Sequence, residues 1–524
     1  MKRESMRQPS VSLPSNPRLR QLVLPAAAGA FTIFMSLPRA YGQSTLAGAV
    51  ASPSNSVPVA AVQPRDATAE LDSELAALQA RPGGLTATQA AERAVAVSSE
   101  ILASRHREAA AEADLDAARI RYAPRLTLSA GYTRYSPIDA PSLGVIVVTT
   151  PDQANRPNPQ PTMGHAFSFP VLLNQTTLRA SLVVPLTDYF VRFPRLLDAA
   201  HSGKSQAQLG RLASQARAAA DAKVAYYAWT RALLQQVAAE QAHRRTLSHL
   251  ADTKRAYEAG LATNADYRAV EAQVAQTEVL TTRARSNVAV TAEQVRVQLR
   301  LPLESHFEIG EMIIAPPVLP PVPRLDQAWQ EAQQSRPELL ALTESERQLR
   351  QQASAQLGNE FPRVDAVGEI LGANPNPRYQ PPLDAFKTTW SVGVQATWIV
   401  NDWPSSAAQK RSIESQADVL VAQREALKQG IRSEIVSASQ GVEQAVVTIA
   451  ATKRGVDAAE AAYRVRRDQY IAGRATNVEL TDAETELTRA RIDHIDAMVD
   501  ARIAGVRLEY ALGRAVSKSP PEKG

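Results

Sequence analysis

An internal duplication constrains the fold of this chain more than any other feature of its sequence. Five residues of the first half recur unchanged 238 positions later. They are Ala90, Ala94, Glu100, Leu102 and Pro124, which match Ala328, Ala332, Glu338, Leu340 and Pro362. Further along, residues 257–264 and 470–477 are identical at six of eight positions, 213 residues apart. The sequence therefore predicts two copies of one unit, residues 85–315 and 325–513, joined by a Pro-rich connector, residues 316–324.

Both copies predict the same order of elements. A helix, roughly 86–122 and 325–359, ends at a proline, and a strand, a loop and a second strand follow it. A very long helix, a turn that contains glycine and another long helix come next. The first long helix should run from about Val191 to Glu258, which is roughly 100 Å at ~1.5 Å per residue. The sequence thus predicts a mainly α chain with a small β portion.

Apolar residues recur along these helices at the steps of a coiled-coil seam. In the first they are Leu209, Leu212, Ala216, Ala219, Tyr226, Leu233 and Val237, and in the last they are Ile492, Ile495, Val499, Ile503, Val506 and Tyr510. Many of the core positions are Ala, which allows helices to approach closely. We therefore expect two coiled-coil hairpins in each chain.

The four predicted strands, 125–135, 178–186, 363–371 and 388–398, alternate between apolar and polar residues. Strands of ~9–11 residues with one apolar face fit a membrane-spanning barrel. The aromatic residues expected at the lipid interfaces are Tyr132, Tyr135, Trp390 and Trp398. The alternative is an antiparallel sheet on a soluble core, but no amphipathic helix is predicted to cover these strands.

Four strands cannot close a barrel, and open strand edges are not tolerated in hydrocarbon. The chain should therefore share a membrane barrel with copies of itself. Two, three or four copies would close one, so the strands alone leave the number open.

The N-terminus has the features of a secretory signal peptide, residues 1–42. A basic region ends at Arg20, an apolar stretch follows to Leu37, and Ala40-Tyr41-Gly42 supplies small residues for cleavage. A membrane anchor is the alternative, and Pro25 and Gly29 weigh against it. Residues 43–84 predict a flexible N-terminal segment, and residues 514–524 predict a loose C-terminal tail.

The net charge of +5 belongs to that leader, which holds six basic residues and one acidic residue. The remainder is neutral and gives no support to nucleic-acid binding. The chain has no Cys, which excludes a disulfide framework and a thiolate nucleophile. The His residues are scattered, so we predict no catalytic residue, metal site or cofactor. His243 and His249 are interpreted as surface residues, and Glu484 as a charge on a helix surface.

The duplicated order of helix, proline, strand, loop, strand and long helix, with Tyr-x-Ala-Gly at the helix–helix turns, resembles the TolC family of outer-membrane efflux proteins. The resemblance covers roughly residues 85–513. It implies a homotrimer with a 12-stranded outer-membrane β-barrel on an α-helical periplasmic tunnel, in the envelope of a Gram-negative cell. Loops 136–176 and 374–387 would then face outside the cell. The implied partners are outer-membrane lipid, a periplasmic adaptor (membrane fusion protein) and an inner-membrane transporter, with no nucleic acid.

Glu479 and Asp482 are three residues apart and so share one helix face. By resemblance, they match two acidic rings that narrow the periplasmic entrance in the family. Six carboxylates gathered by three-fold symmetry should attract cations or hold a proton. The other interpretation is an acidic first turn that suits the helix dipole. The first hairpin has Asp266 and Ala269 at these positions, so we place the gate in the second.

Two further gate residues follow from the resemblance. Tyr470 matches the tyrosine of the family's tip. The basic residue that helps to hold the family's closed state would fall at Ala475, and Arg474 stands one place earlier. The sequence departs from the family pattern here.

The two helix–helix turns are similar to the tips on which periplasmic adaptor hairpins dock. The residues concerned are Gly260, Leu261 and Thr263 in the first turn and Gly473 and Thr476 in the second. Each glycine can also be interpreted as a helix-ending residue with positive φ, and the two interpretations are compatible.

The resulting hypothesis is a passive exit channel for efflux or type I secretion, opened by movement of the inner coils around Gly473, with selectivity supplied by the pump. The alternatives are a soluble periplasmic coiled-coil scaffold or adaptor, which leaves the strands unexplained, and a secreted enzyme, which lacks a catalytic cluster.

Overall fold

The computed structural model describes residues 73–139, 142–148, 157, 162–168 and 171–514. The predicted signal peptide, most of the predicted flexible segment 43–84 and all but the first residue of the predicted tail lie outside these residues.

The first copy contains five helices and four strands in its described part. The helices are α1 (Ala87–Val97), α2 (Ser99–Ile120), α3 (Leu186–Val191), α4 (Phe193–Glu258) and α5 (Asn264–Leu299). The strands are β1 (Arg125–Arg134), β2 (Ser142–Val148), β3 (Thr162–Ser168) and β4 (Asn174–Pro185).

The second copy repeats this order without counterparts of α3, β2 and β3. Its helices are α6 (Leu325–Ser335), α7 (Pro337–Ala355), α8 (Asp402–Ile471) and α9 (Asn477–Ala511), with a 3₁₀ turn at Gln356–Asn359. Its strands are β5 (Arg363–Asn374) and β6 (Lys387–Thr397). The prediction of a mainly helical chain with a small antiparallel sheet is confirmed.

The single helices predicted over 86–122 and 325–359 are wrong, because each is two helices. Arg336 separates α6 from α7 with φ −79° and ψ 111°. Pro337 follows it, and a proline disfavours helical backbone at the residue before it. Ser98 separates α1 from α2 in the same way, with ψ 129°.

The prediction of a loop over 136–176 is also incomplete, because β2 and β3 form a separate two-stranded antiparallel sheet within it. The run Val145-Ile146-Val147-Val148 has high β-propensity, which explains β2. The sequence of β3 carries no comparable signal.

The main sheet is antiparallel in the order β1-β4-β5-β6. Leu126 lies opposite Leu182, and Ile370 lies opposite Trp390. Because cross-strand partners share a face, one face is apolar across all four strands. Its large side chains are Leu126, Leu128, Leu178, Leu182, Ile370, Trp390, Val392 and Val394. They are exposed, up to 77% for Val392, so the described chain does not cover this face.

The opposite face of the sheet carries most of its polar side chains, together with Val183, Val367 and Leu371. Arg179 of β4 forms an ion pair with Glu369 of β5, with Nε and Oε2 3.6 Å apart. Thr127 and Ser129 lie on the same face of β1, opposite Ser181 and Arg179 of β4. The predicted alternation of the strands therefore produces two faces of opposite character.

The long helices pack side by side in the order α5, α4, α9 and α8 towards the helix–helix turns. Closer to the strands, α2 packs on α4 in place of α5. There α7 packs between α4 and α8 in place of α9. The main core joins α1, α4, α5 and α9 around Tyr226 and Trp229. A second core joins α6, α7, α8 and α9 around Ile435 and Leu508. No helix of the described residues has the length and apolarity needed to cross a membrane.

The predicted coiled-coil positions agree with this packing. Ala216, Tyr226, Ile495, Val499 and Ile503 are buried. The other predicted seam residues, Leu209, Leu212, Ala219, Leu233, Val237, Ile492, Val506 and Tyr510, are half-buried.

Candidate functional site

The two helix–helix turns have the same backbone conformation. Gly260 and Gly473 have φ of +74° and +69°, in the left-handed region that favours glycine. Each glycine N–H donates to the carbonyl of the tyrosine three residues earlier, Tyr257 or Tyr470, at 3.0 Å. The interpretation of both glycines as helix-ending residues is confirmed. Leu261, next in the first turn, is 84% exposed.

Thr263 and Thr476 begin the helices that follow the turns. The N–H of Thr476 donates to Oε2 of Glu479 at 2.8 Å, and the N–H of Glu479 donates to Oγ1 of Thr476 at 3.3 Å. Thr263 and Asp266 exchange the same pair of hydrogen bonds, each at 3.1 Å. These capping boxes satisfy backbone donors that a helix start leaves unpaired. Glu479 therefore acts as a helix cap, as does its counterpart in the first copy.

Glu479 also pairs with Arg466 on α8, whose Nη1 lies 3.2 Å from Oε1. The backbone N–H of Thr476 is the main cause that lowers the pKa of the Glu479 carboxyl, and the Thr476 hydroxyl and Arg466 add to it. The carboxylate therefore stays ionised, but its charge is partly balanced within the same chain.

Asp482, one turn further along α9, is exposed. Its carboxylate has no hydrogen bond or ion pair to any residue in the part of the chain that the structure describes. Arg474 is exposed too, and its backbone N–H donates to the carbonyl of Gln469 at 2.7 Å. Of the two predicted gate carboxylates, Asp482 is thus the one whose charge is free.

Tyr470 connects the end of α8 to α4. Its ring lies edge-on to the ring of His249, with centroids 5.5 Å apart. Its hydroxyl is 3.4 Å from Oγ1 of Thr253. The predicted gate tyrosine therefore contacts the first hairpin, whereas Glu479 pairs within the second.

The contact between Tyr470 and His249 belongs to a buried polar cluster that sequence reasoning missed. His249 is 5% exposed and Glu484 is 7% exposed. Both were expected on the surface, and both expectations are wrong, because α8 and α9 cover this part of α4. Nδ1 of His249 lies 3.4 Å from Oε2 of Glu484.

Arg491 extends this cluster across three helices. Its Nη2 donates to Oε1 of Glu460 on α8 at 2.7 Å, and its Nη1 donates to Oε1 of Gln241 on α4 at 3.0 Å. Arg245 of α4 is also part of the cluster, and Nη2 reaches Oγ1 of Thr488 at 3.5 Å. A cavity of about 290 Å³ lies beside Arg245 between α4, α5 and α9.

The predicted interface aromatics lie near the two ends of the main sheet. Tyr132, Tyr135 and Trp390 are near one end, and Trp398 follows β6 at the other. All four side chains are exposed. The hydroxyl of Tyr132 donates to Asn174 at 3.0 Å, and that of Tyr135 donates to Gln175 at 2.6 Å. Within the described ranges, no group of three or more His, Asp and Glu residues could hold a metal ion.

The sequence matches the family described as outer membrane efflux protein over residues 90–299 and 328–514. A search of curated proteins gives no match. Three solved structures have the same fold. The outer-membrane channel OprN is 18% identical, with a TM-score of 0.64 over 88% of this chain and 98% of that chain. VceC of Vibrio cholerae is 15% identical, with a TM-score of 0.64 over 82% and 96%. CmeC of Campylobacter jejuni is 13% identical, with a TM-score of 0.64 over 88% and 94%.

Long paired helices on an antiparallel sheet with an uncovered apolar face are therefore the fold that this chain shares with these outer-membrane channels. The chain belongs to the outer membrane efflux protein family. The predicted family, its efflux function and its location in the outer membrane are confirmed.

Proposed function

We propose that this chain is one protomer of a homotrimeric, passive exit duct whose three sheets close a 12-stranded barrel in the outer membrane. The observation that carries the proposal is the main sheet, which has two free edges and an uncovered apolar face. The long helices α4, α5, α8 and α9 of the three copies would then form the periplasmic tunnel. We also propose that the two copies span residues 85–315 and 325–513.

The free edges are β1 and β6, each of which pairs with one strand in the described structure. Unpaired backbone N–H and C=O groups each cost several kcal/mol in hydrocarbon. Pairing β6 of one copy with β1 of the next removes both edges. Two copies would give eight strands and three would give twelve. The number three comes from the family resemblance.

The helical layer supports association of copies at the same two sides. Val279, Val290 and Val297 form an exposed stripe on α5, at spacings of 11 and 7 residues. Val436, Val447 and Val465 form one on α8, at spacings of 11 and 18 residues. These spacings are close to whole turns, so each stripe follows one helix face. Because α5 and α8 are the outer members of the layer, the stripes are suited to meet between neighbouring copies.

The gate is proposed at the start of α9. Three copies of Asp482 would surround one opening, with the partly balanced Glu479 beside them. The exposed turns at Gly260, Leu261 and Thr263 and at Gly473 and Thr476 are proposed to dock a periplasmic adaptor. An inner-membrane transporter would then deliver cargo, and the duct would supply no energy of its own.

Extraction and conductance test the proposal together. We expect the full chain to require detergent for extraction from envelopes, to run as a trimer on native gels, and to form channels in a planar bilayer. A monomer that is released from envelopes without detergent would instead support a periplasmic scaffold. A detergent-extracted trimer without conductance would contradict the exit-channel function.

A further inference from the structure

The polar face of the main sheet carries an excess of positive charge. The register places every charged side chain of β1, β4, β5 and β6 except Arg134 on this face, because cross-strand partners share a face. The basic residues are Arg125, Arg179, Arg363 and Lys387, and the acidic residues are Asp365 and Glu369. Each chain therefore has two more positive than negative charges on this face.

The two carboxylates of this face each pair with an arginine. Nε of Arg179 lies 3.6 Å from Oε2 of Glu369, and Nε of Arg363 lies 2.9 Å from Oδ1 of Asp365. These pairs balance all the negative charge of the face. The excess positive charge is therefore that of the two remaining residues, Arg125 and Lys387.

Arg125 and Lys387 have no partner for their charges. Both residues are exposed, and neither side chain forms an ion pair or hydrogen bond with any residue that the structure describes. Arginine and lysine side chains carry a positive charge at neutral pH. The two cationic groups are thus free to act on ions in the water beside the sheet.

Association of copies would leave these charges in place. Arg125 lies on β1 and Lys387 on β6, which are the edge strands that pair between copies in the proposed barrel. Neither strand contains an Asp or a Glu. Whatever the register between copies, the two strands therefore bring no carboxylate to either charge.

The two charges lie at different levels of the sheet. The pairing places Gly393 of β6 level with Arg125, through Val183 and Val367. Lys387 is six residues before Gly393 on β6, which is ~20 Å at ~3.4 Å per residue. A barrel of three copies would therefore carry two rings of three positive charges, one towards the helices and one towards the loops.

Rings of like charge in a water-filled barrel attract ions of the opposite sign. The potential of each ring extends over about one Debye length, ~8 Å at physiological ionic strength. Low-dielectric walls strengthen the potential inside a cleft or channel. Anions should therefore be enriched in the barrel and cations depleted, and carboxylates and phosphates are the anionic groups that arginine and lysine bind best.

We propose that Arg125 and Lys387 make the barrel selective for anions, so that the duct favours cargo that carries a carboxylate or a phosphate group. This proposal rests on the proposed function, because it requires the shared barrel. It gives the barrel a charge preference of its own, in addition to any choice of cargo by a pump. The preference is opposite to that of the gate, where the free carboxylate of Asp482 attracts cations.

Reversal potentials of the full-length trimer in a planar bilayer test the proposal. Asp482→Asn is the starting protein, because it removes the acidic charge of the gate. In a KCl gradient from about 0.1 M to about 0.01 M, where screening is weak, we expect chloride to permeate about threefold more readily than potassium. Combining Arg125→Gln with Lys387→Gln should lower this ratio to about one, whereas Arg125→Lys should preserve it.

Two controls separate this effect from a general effect of substitution. Arg134→Gln changes an arginine of the same strand that lies on the opposite face, where it donates to Asn174 at 2.6 Å. Arg179→Gln combined with Glu369→Gln removes an ion pair without altering the net charge of the polar face. We expect neither control to change the permeability ratio.

Thiol modification gives an independent readout within the barrel. The chain has no Cys, so Ser129→Cys places a single thiol on the polar face of β1, and Leu261→Cys places one at the exposed first turn for comparison. The reagents are two methanethiosulfonates, one with a sulfonate group and one with a trimethylammonium group. We expect the ratio of the anionic to the cationic reaction rate to be about tenfold higher at Ser129→Cys than at Leu261→Cys.

The outcomes distinguish this proposal from the proposed function. A channel that prefers potassium in the Asp482→Asn background would overturn the proposal and leave the exit-channel function intact. The same holds if the preference for chloride and for the anionic reagent survives the combined substitution of Arg125 and Lys387. A trimer without conductance would instead contradict the proposed function.

Discussion

The guanidinium of Arg491 on α9 pairs with the carboxylate of Glu460 on α8 at 2.7 Å, inside the helical layer. Arg491 is buried and also reaches Gln241 on α4. This relationship joins both hairpins of the chain through one side chain.

Arg491→Leu should lower the free energy of unfolding by about 3 kcal/mol, because it leaves a half-buried carboxylate without its partner. Urea unfolding of the detergent-solubilised protein, followed by circular dichroism, measures the change. Arg489→Leu is the control, since the side chain of Arg489 is 75% exposed and surface pairs contribute little. Equal effects of the two substitutions would show that the buried pair contributes no more to the free energy of unfolding than a surface pair does.

Gly473→Ala should destabilise the second turn by about 1 kcal/mol, because alanine is disfavoured at φ +69°. No heavy atom lies within 4 Å of the added Cβ, so the effect is one of backbone strain alone. Gly455→Ala has equally open space within α8 and should stabilise by ~0.5 kcal/mol. Thermal unfolding of both variants in detergent measures the difference, and the same sign for both would contradict this account.

Asp482→Asn should weaken block of the channel by multivalent cations, raising the half-blocking concentration on the order of tenfold. Glu479→Gln should have a smaller effect, because Arg466 and the Thr476 N–H already balance that carboxylate. Arg466→Gln should strengthen the block. Conductance titrations with a trivalent cation measure all three. If Glu479→Gln weakens block as much as Asp482→Asn, the assignment of the free charge to Asp482 is wrong.

His494 should make the fold less stable in acid. Burial, with the nearby Lys453, holds the pKa of His494 below its usual 6.5. The unfolded chain therefore binds a proton at a higher pH than the folded chain does. The contribution of His494 to the free energy of unfolding is fully present above pH 6.5. It declines as the pH falls towards the pKa that His494 has in the folded chain. Unfolding midpoints at pH 7.5 and 5.5 should differ less in His494→Gln than in the parent, whereas exposed His106→Gln should leave the difference unchanged.

Regular patterns made much of this fold predictable. The alternation of apolar and polar residues predicted the strands. The pairing of Leu126 with Leu182 and of Ile370 with Trp390 agrees with that prediction. The absence of proline after Pro194 in α4 predicted its great length. The identical turn sequences indicated identical turns, which the positive φ of Gly260 and Gly473 bears out.

The errors arose where tertiary contacts decide the outcome. A histidine and a glutamate on polar helices give no local signal of burial, and His249 and Glu484 are buried only because three helices meet there. The break at Arg336 was foreseeable from Pro337, whereas Ser98 has no such neighbour. The strand β3 depends on its pairing with β2 rather than on its own residues.

The roles of the tips and of the gate residues remain predictions for a related reason. The single chain shows that Thr476 and Glu479 cap α9, which is a structural role. Their place around a shared opening depends on contacts between copies.

Cross-linking between copies tests most directly the claim that three chains share one barrel. The chain lacks Cys, so Ser129→Cys on β1 can be combined in turn with Ser391→Cys, Gln395→Cys and Thr397→Cys on β6. We expect oxidation in the outer membrane to give a covalent species of three chains on a denaturing gel for at least one pair. Ser129→Cys alone is the control and should stay monomeric. If every pair gives only monomers, or stops at two chains, the shared twelve-stranded barrel is contradicted.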